Sequence, residues 1–303
     1  MQEVPDGFTL LPLSSSSKQE LIEKAPDADY FIASGRLPID REVIAAATKL
    51  KMIQRTGVGI DQISLDTLRE FNIPLYVNSG VNSAAVAEHT LLLMLAVYRK
   101  LIVADRLMKE GVWEKQSFGI QTRSLFNKKV GLIGLGNIGM ELVKLLQPFG
   151  VDIYYNKRSQ LSADIEKQYG LSYVSRETLL KTCDVISLLC AYTSETHHTI
   201  DNEAIHMMRN DSILINTARG KLIDQKALME ALNHNRIAGA GLDVHYNEPM
   251  ENPQEFKNLN NTVLTAHIGG ITLESFSLMY KSVFRNIMMF ENGQPDQIEH
   301  LKI

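Results

Sequence analysis

A glycine-rich turn near the middle of the chain restricts the possible fold more than any other stretch. Residues 130–139 read V-G-L-I-G-L-G-N-I-G, so Gly134, Gly136 and Gly139 form the pattern G-x-G-x-x-G. An apolar run precedes the turn, and apolar residues at helical spacing follow it before a second strand-like run at 151–155. This order predicts a βαβ unit whose helix N-terminus binds a pyrophosphate, because free N–H groups and the helix dipole favour anions there. Without those flanking elements, the glycines would indicate only a tight turn.

Composition restricts the class of protein. A length of 303 residues predicts two domains, and a net charge of −4 argues against nucleic acid or an anionic membrane as a partner. The two cysteines, Cys183 and Cys190, form no disulfide or metal-binding pattern, which fits a reduced intracellular setting without a bound metal. The longest apolar run, at 91–98, is too short to span a bilayer, and no signal peptide opens the chain. We therefore expect a soluble cytoplasmic enzyme.

Strand-like runs alternate with amphipathic helices along most of the chain. The first part of the chain shows short βα units, with strands expected at 30–33, 52–55 and 74–78. After the glycine turn, further strands are expected at 184–190, 212–216, 239–244 and 262–265, and helices at 224–235 and 273–290. This alternation predicts an α/β fold with parallel, doubly wound sheets. Residues 83–109 read as one long apolar helix, which we expect to be buried between domains or against a second subunit.

Three polar residues follow predicted strands, at the ends where parallel sheets bind ligands: Arg219, Glu248 and His267. An arginine can bind a carboxylate through two parallel hydrogen bonds, and an imidazole can exchange a proton with a hydroxyl group as hydride leaves C2. A carboxylate can orient that imidazole. Together the three residues fit the oxidation of a 2-hydroxy acid. Taken singly, Arg219 could be a surface charge, Glu248 a turn residue and His267 a loop histidine. Their order in the chain does not prove that they meet.

Six motifs occur in order along the chain: R-T-G-V-G-I-D at 55–61, N-S-A-A-V-A-E at 82–88, G-L-G-N-I-G at 134–139, N-T-A-R-G at 216–220, G-L-D-V with N-E-P at 241–249, and A-H-I-G-G at 266–270. Together they resemble the D-2-hydroxyacid dehydrogenase family, which includes glyoxylate/hydroxypyruvate reductases and 3-phosphoglycerate dehydrogenases. The resemblance implies a Rossmann-type nucleotide domain, residues 81–270, inserted in a flavodoxin-like substrate domain. That second domain would combine residues 1–80 with a C-terminal helix in 271–303.

The resemblance also implies roles for single residues. Arg219 would bind the substrate carboxylate and carbonyl, His267 would act as acid and base, and Glu248 would be its partner. The backbone at Val58 and Gly59 would hold the substrate carboxylate. Asp243 would lie near the nicotinamide carboxamide, and the helix from Ser83 would form a homodimer interface. The remaining cofactor contacts would come from Gly134, Leu135, Gly136, Asn137, Ile138, Gly139, Cys190, Ala191, Thr196, Thr217, Ala218, His267 and Gly269.

The end of the second strand departs from the pattern of NAD-specific enzymes. These enzymes carry an acidic residue there that binds the ribose 2′-hydroxyl, whereas residues 154–159 read Y-Y-N-K-R-S. Lys157 and Arg158 are cations that could accept a 2′-phosphate, although they could also be a solvated pair in a loop. We expect a preference for NADP, with NAD also possible.

Two other stretches depart from the family. Relatives commonly have His and Pro where this chain has Leu189 and Ala191, and we expect altered packing there rather than lost binding. Family members usually open with a βα unit, whereas this chain starts near what would be the second strand, at 8–13. The substrate-domain sheet is then smaller, or the start of the chain has been lost.

The activity expected is reduction of a small 2-keto acid to a D-2-hydroxy acid, in the glyoxylate/hydroxypyruvate class. The alternatives are a D-3-phosphoglycerate dehydrogenase-like enzyme and a non-catalytic, dinucleotide-sensing corepressor of the same fold. Formate dehydrogenase is disfavoured, because it usually has Gln where this chain has Glu248. The choice of substrate side chain is expected to depend on the loop Ser34-Gly35-Arg36 and on residues around Trp113.

Overall fold

The computed structural model describes residues 4–15, 17–35 and 37–298. The first part of the chain contains helices α1 (Lys18–Lys24), α2 (Arg41–Ala46) and α3 (Leu65–Phe71) and strands β1 (Tyr30–Ala33), β2 (Met52–Arg55) and β3 (Leu75–Tyr76). The middle contains helices α4 (Ser83–Tyr98), α5 (Leu101–Lys109), α6 (Gln116–Gly119), α7 (Asn137–Leu146), α8 (Ala163–Tyr169), α9 (Arg176–Thr182), α10 (Asn202–Met207) and α11 (Gln225–Asn233). Its strands are β4 (Lys129–Ile133), β5 (Asp152–Asn156), β6 (Leu171–Tyr173), β7 (Val185–Leu188), β8 (Ile213–Asn216), β9 (Gly239–Leu242) and β10 (Thr262–Leu264). The last helix is α12 (Leu273–Glu291).

The chain divides into two compact units. Residues 1–82 and 271–303 form the first unit, and residues 83–270 form the second. The second unit is thus inserted in the sequence of the first, and α12 belongs to the first.

The first unit contains a three-stranded parallel sheet in the order β1-β2-β3. Successive side chains of a strand point to opposite faces of the sheet, so its apolar residues form two separate clusters. Phe31 and Ile53 pack with residues of α2 and α3 on one face. Met52 and Tyr76 pack with Val283 of α12 on the other face. Helices therefore cover both faces, as expected for a parallel sheet.

The second unit contains a seven-stranded parallel sheet in the order β10-β9-β8-β7-β4-β5-β6. The chain runs from β4 outward to β6, then returns to place β7 on the other side of β4. This reversal of strand order creates a crevice at the carboxyl ends of β4 and β7, where open α/β sheets bind ligands. The two strands pair in register from Val130 opposite Val185 to Ile133 opposite Leu188. The predicted fold class, α/β with parallel sheets flanked by helices, is confirmed.

The prediction of one helix over residues 83–109 is wrong. The chain forms α4 and α5, separated by Lys100, whose φ of 49° places it in the left-handed region and breaks the helical hydrogen-bond ladder. Helix α4 is buried within the second unit, where it packs against α7, β8 and β9, so its apolar sequence does not require a second subunit. Helix α5 has no buried residue. No helix in the described part of the chain is long and apolar enough to cross a bilayer.

The strand predicted at residues 8–13 is absent. The ring of Phe8 lies 6.1 Å from that of Tyr30 and 6.4 Å from that of Phe284, between centroids, so it packs against the sheet instead of extending it. Leu10 and Leu11 are exposed. Pro12 lacks a backbone N–H and cannot donate to a strand ladder, which explains why an apolar run here forms no strand.

Candidate active site

The carboxyl edge of the seven-stranded sheet carries the residues predicted to bind the cofactor. Six of its strands, β4, β5, β7, β8, β9 and β10, end at a segment that contains at least one of them. In that strand order these residues are Gly134 to Gly139; Lys157 and Arg158; Cys190, Ala191 and Thr196; Thr217 and Ala218; Asp243; and His267 with Gly269. Parallel strands bring all these segments to one edge, although they are far apart in sequence.

The glycine turn joins β4 to α7 where the strand order reverses. Gly134 has a φ of 95°, and a Cβ placed on it would lie 2.5 Å from the backbone nitrogen of Cys190, so only glycine fits here. Gly136 is the N-cap of α7 and supplies no side-chain cap. A Cβ at Gly136 would meet nothing within 4 Å, so the space in front of the helix N-terminus is open. The turn therefore fits the pyrophosphate of a dinucleotide.

The segment after β7 contacts the glycine turn through its backbone, at Leu189 and Cys190. Burial raises the pKa of the Cys190 thiol to about 11, so this cysteine stays neutral near pH 7. The Thr196 hydroxyl donates to the carbonyl of Ala191 and accepts from the backbone N–H of Thr193, which closes the loop. The turn that contains Ala191 and follows Leu189 is thus closed by hydrogen bonds.

Arg219 lies in a turn after β8 that the side chain of Asn216 holds in place. The Asn216 Oδ1 accepts from the backbone N–H of Ala218 at 3.0 Å, and its Nδ2 donates to the carbonyl of Arg219 at 2.9 Å. The guanidinium donates through Nη1 to the Ala218 carbonyl at 2.7 Å. The next residue, Gly220, packs so closely on His245 that a Cβ would collide with its carbonyl group. The turn that carries Arg219 is therefore in direct contact with the loop after β9.

His267 and Glu248 form a hydrogen-bonded pair in the loops after β10 and β9. The Nδ1 of His267 lies 2.6 Å from Oε2 of Glu248, while Oε1 of Glu248 accepts from the backbone N–H of His245 at 2.9 Å. Burial alone would raise the pKa of Glu248, but the hydrogen bonds from His267 and His245 lower it below its ordinary value. Because an ionised carboxylate only accepts, the ring nitrogen that faces it, Nδ1, carries a proton, and Nε2 is the nitrogen left for other partners.

Asp243 connects the two loops. The backbone N–H of His267 donates to its carbonyl at 2.7 Å, and the N–H groups of Ile268 and Gly269 donate to its carboxylate. Asp243 is only 2% exposed, and burial would raise its pKa. Hydrogen bonds from His89, Thr265 and these backbone groups outweigh that effect and hold the pKa well below the usual range of an aspartate.

The end of β5 lacks the acidic residue of NAD-specific enzymes. The strand ends at Asn156, whose Nδ2 donates to the carbonyl of Val174 at 2.8 Å. Lys157 and Arg158 follow, and among residues 4–15, 17–35 and 37–298 no carboxylate lies within ion-pair distance of either cation. Both cations therefore remain available to an anionic ligand.

In the first unit, Val58 and Gly59 lie in the loop after β2. Arg55 is buried at the end of that strand and holds the loop, with Nε donating to the carbonyl of Gly59 and Nη1 to that of Ala33, each at 2.6 Å. Gly35 packs directly on the guanidinium. Arg36 lies outside the described residues, and Trp113, in the second unit, is 77% exposed. The guanidinium of Arg55 thus shapes the loop expected to bind the substrate carboxylate.

Several residues that support these groups were not predicted from the sequence: His89, Thr265, His245 and Arg55. Their sequence signals were nevertheless present. His89 directly follows the motif at 82–88, His245 lies between the two parts of the motif at 241–249, and Arg55 opens the motif at 55–61. Motif position shows that a residue belongs to the site, but not which partner it contacts.

Comparison with known proteins agrees with this geometry. The family model described as D-isomer specific 2-hydroxyacid dehydrogenase, NAD binding domain, matches residues 91–269. The chain belongs to the D-isomer specific 2-hydroxyacid dehydrogenase family. As a member, it is an oxidoreductase that interconverts 2-keto acids and D-2-hydroxy acids with a nicotinamide cofactor, and the predicted family and reaction class are confirmed.

Individual relatives cover most of this dehydrogenase. A glyoxylate reductase of Thermococcus litoralis is 37% identical over 90% of this chain and 84% of its own. The crystal structure of a D-lactate dehydrogenase from Aquifex aeolicus, complexed with NAD and lactic acid, has a TM-score of 0.86 and 28% identity, over 93% of this chain and 88% of its own. A glyoxylate reductase from Paecilomyes thermophila has a TM-score of 0.84 and 30% identity, over 94% and 88%. These similarities do not favour the phosphoglycerate dehydrogenase or corepressor alternatives.

Proposed function

We propose that this dehydrogenase reduces a small 2-keto acid, glyoxylate or hydroxypyruvate, and that it prefers NADPH. The observation that carries the proposal is the 2.6 Å pair between His267 and Glu248, at the same sheet edge as Arg219 and the glycine turn. The names of the similar glyoxylate reductases support this choice of substrate. We further propose that the second unit is the dinucleotide-binding domain and the first the substrate domain.

In the proposed reaction, each polar residue has a separate task. The reduced nicotinamide, when bound, supplies hydride to C2 of the keto acid. Arg219 donates hydrogen bonds to the substrate carbonyl and carboxylate, which stabilises the negative charge that develops on oxygen. His267 donates the proton on Nε2 to that oxygen, and Glu248 keeps the ring oriented through Nδ1. Backbone groups of Val58 and Gly59 bind the carboxylate.

The proposed fit of the cofactor assigns its parts to the sheet edge. The pyrophosphate would face the N-terminus of α7 at residues 134–139, and the nicotinamide carboxamide would approach Asp243. Cys190, Ala191 and Thr196 would line the cleft on one side, and Thr217, Ala218 and Gly269 on the other. Lys157 and Arg158 would meet a 2′-phosphate, since the carboxylate that would repel it is absent.

Turnover with NADPH is expected to exceed turnover with NADH when either glyoxylate or hydroxypyruvate is reduced at subsaturating cofactor. The measurement is the decay of absorbance of the reduced cofactor. A preference for NADH would refute the role given to the two cations, and no turnover of either keto acid would refute the substrate assignment.

Replacement of both Lys157 and Arg158 by Ser extends the same test. Loss of two charge-assisted contacts should raise the KM for NADPH by about 100-fold, at roughly tenfold for each. The KM for NADH should change by less than about twofold, which makes NADH the matched control ligand. An equal rise for the two cofactors would show that the substitutions disturb the fold of the loop instead.

We also propose a homodimer that buries α5. This helix exposes Leu101, Ile102 and Met108, and several exposed apolar side chains grouped on one short helix favour a protein contact. The variant Ile102→Glu should shift the sedimentation coefficient from dimer towards monomer. Lys109→Glu, a charge change on the same helix, is the control. A monomeric wild-type protein, or an Ile102→Glu variant that stays dimeric, would contradict this interface.

A further inference from the structure

A chain of three polar side chains connects α4 to the turn that carries His267. The Nε2 of His89 lies 2.9 Å from Oγ1 of Thr265, and that hydroxyl donates to Oδ1 of Asp243 at 2.6 Å. His89 Nε2 also lies 3.4 Å from the same carboxylate oxygen. The reaction steps proposed above use neither His89 nor Thr265.

The hydrogen-bond directions in this chain follow from the acceptors. An ionised carboxylate can only accept, so the Thr265 hydroxyl must give its proton to Asp243. The hydroxyl oxygen is then left to accept, and the donor must be an N–H on Nε2 of His89. The carboxylate in turn accepts from the backbone N–H groups of Ile268 at 2.9 Å and Gly269 at 2.8 Å. A donor on α4 therefore fixes the Thr265 hydroxyl, and this hydroxyl and the two backbone N–H groups together orient the Asp243 carboxylate.

The ring of His89 also packs against the turn itself. A Cβ on Gly269 would lie 3.1 Å from Cδ2 of His89 and 2.8 Å from Oδ2 of Asp243, so the turn backbone rests directly on the imidazole and the carboxylate. His89 is thus in a position to act in two ways, by packing and by donation. The two can be separated by substitution, because Phe keeps a ring without the donor and Gln keeps an N–H donor without the ring.

We propose that His89 is a positioning residue of the active site, whose Nε2–H fixes the Thr265 hydroxyl and, through it, the Asp243 carboxylate. That carboxylate would then serve two groups: the cofactor carboxamide and the N–H groups of the turn that presents His267. The proposal rests on the roles given above to Asp243 and His267. It explains why a histidine whose side chain is only 11% exposed lies on a helix whose buried residues are mostly apolar.

The lowered pKa of Asp243 agrees with this arrangement, since the donors around it keep the buried carboxylate ionised. Without the His89 donor, the Thr265 hydroxyl is held only by its bond to Asp243, and the carboxylate keeps its backbone donors but loses its link to α4. Cofactor binding and proton transfer should weaken together, because one carboxylate supports both. A residue that acted only on stability would alter neither in the folded enzyme.

The test compares His89→Phe with His89→Gln by equilibrium titration of NADPH, followed by protein fluorescence, together with kcat and KM. His89→Phe should weaken NADPH binding by about tenfold and lower kcat. A loss of this size is expected when a hydrogen bond to a charged group, or to the side chain that contacts that group, is removed. His89→Gln should restore both to within about threefold of wild type. Unchanged binding in His89→Phe, or equal losses in both variants, would overturn the proposal.

Thr265→Val is a second variant, which tests the proposal even if His89→Phe fails to fold. It removes the hydroxyl relay with little change in volume, and should show the same loss of NADPH affinity. If the two residues act through one chain, the double variant should bind NADPH no more weakly than the worse single variant. Additive losses would overturn the proposal. The titration needs no keto acid, so its result does not depend on whether the proposed substrate is correct.

Discussion

The variant His267→Gln is expected to reduce 2-keto acids with a kcat about 10²- to 10⁴-fold below wild type, the usual contribution of a positioned acid. Glutamine keeps a polar side chain in the loop but cannot deliver a proton at neutral pH. The affinity for NADPH should change little, because the backbone N–H of His267 still donates to the Asp243 carbonyl. Steady-state kinetics and cofactor titration on the same preparation measure the two quantities.

A matched control for this variant is His206→Gln, on α10 of the same unit. The ring of His206 is exposed and bonds only the carbonyl of Asn202 in its own helix, among the described contacts, so its loss should leave kcat within about twofold. A His267→Gln enzyme that retained more than about a tenth of wild-type kcat would remove His267 from the proposed mechanism.

Glu248→Gln belongs to the same prediction and should have an intermediate effect. The pKa of Glu248 is lowered by the hydrogen bonds from His267 and His245, so the carboxylate is charged throughout the neutral range and holds the ring by charge as well as geometry. An amide keeps the shape but removes the charge. The kcat for keto acid reduction, measured as for His267→Gln, should therefore lie between the wild-type value and that of His267→Gln.

The elements around the glycine turn could be predicted because apolar residues, turn residues and helical periodicity all indicated the same elements there. Val130, Leu132 and Ile133 are apolar, Gly134 and Gly136 follow the strand, and helical periodicity comes directly after them. The predicted strands at 30–33 and 52–55 have the bounds of β1 and β2. The short strand β6, in contrast, was not predicted, since only Leu171 of its three residues is buried and the hydrophobic pattern is too weak.

The break between α4 and α5 could not be read from periodicity. Arg99 and Lys100 are good helix formers, and the apolar pattern continues across them. The left-handed conformation of Lys100 is imposed by tertiary packing, because α4 is held against β8 and β9 and α5 is not. Propensity favours a continuous helix, and the packing of the inserted unit overrides it.

The polar contacts of the site were only partly accessible from the sequence. The motifs at 241–249 and 266–270 indicated Glu248 and His267, and the parallel order of strands explains why their loops are adjacent. The relay from His89 to Asp243 spans residues in three separate segments, and no spacing rule predicts that Thr265 lies between them. Side-chain relays of this kind depend on rotamers and sheet register, which sequence patterns leave open.

The variant Arg219→Lys is expected to lower kcat/KM for the keto acid by about 10²- to 10³-fold, as does loss of a donor that stabilises developing negative charge. A lysine keeps the positive charge but lacks the planar fork that donates to two oxygens at once, and it cannot repeat the Nη1 bond to the Ala218 carbonyl with the same geometry. The expected loss of kcat/KM therefore reports the direction of the hydrogen bonds from the guanidinium rather than its positive charge. Titration of NADPH should remain close to wild type.

Arg209→Lys provides the matched control, because Arg209 forms an exposed ion pair with Asp211 in the same unit and should tolerate the change. Arg219→Ala, in turn, should recover part of its lost activity when a low concentration of guanidinium is added, because the free cation can occupy the vacated space. Rescue by guanidinium but not by ammonium would assign the loss to planar, two-pronged donation. Equal rescue by both, or an Arg219→Lys enzyme with nearly full kcat/KM, would reduce the role of Arg219 to that of a positive charge.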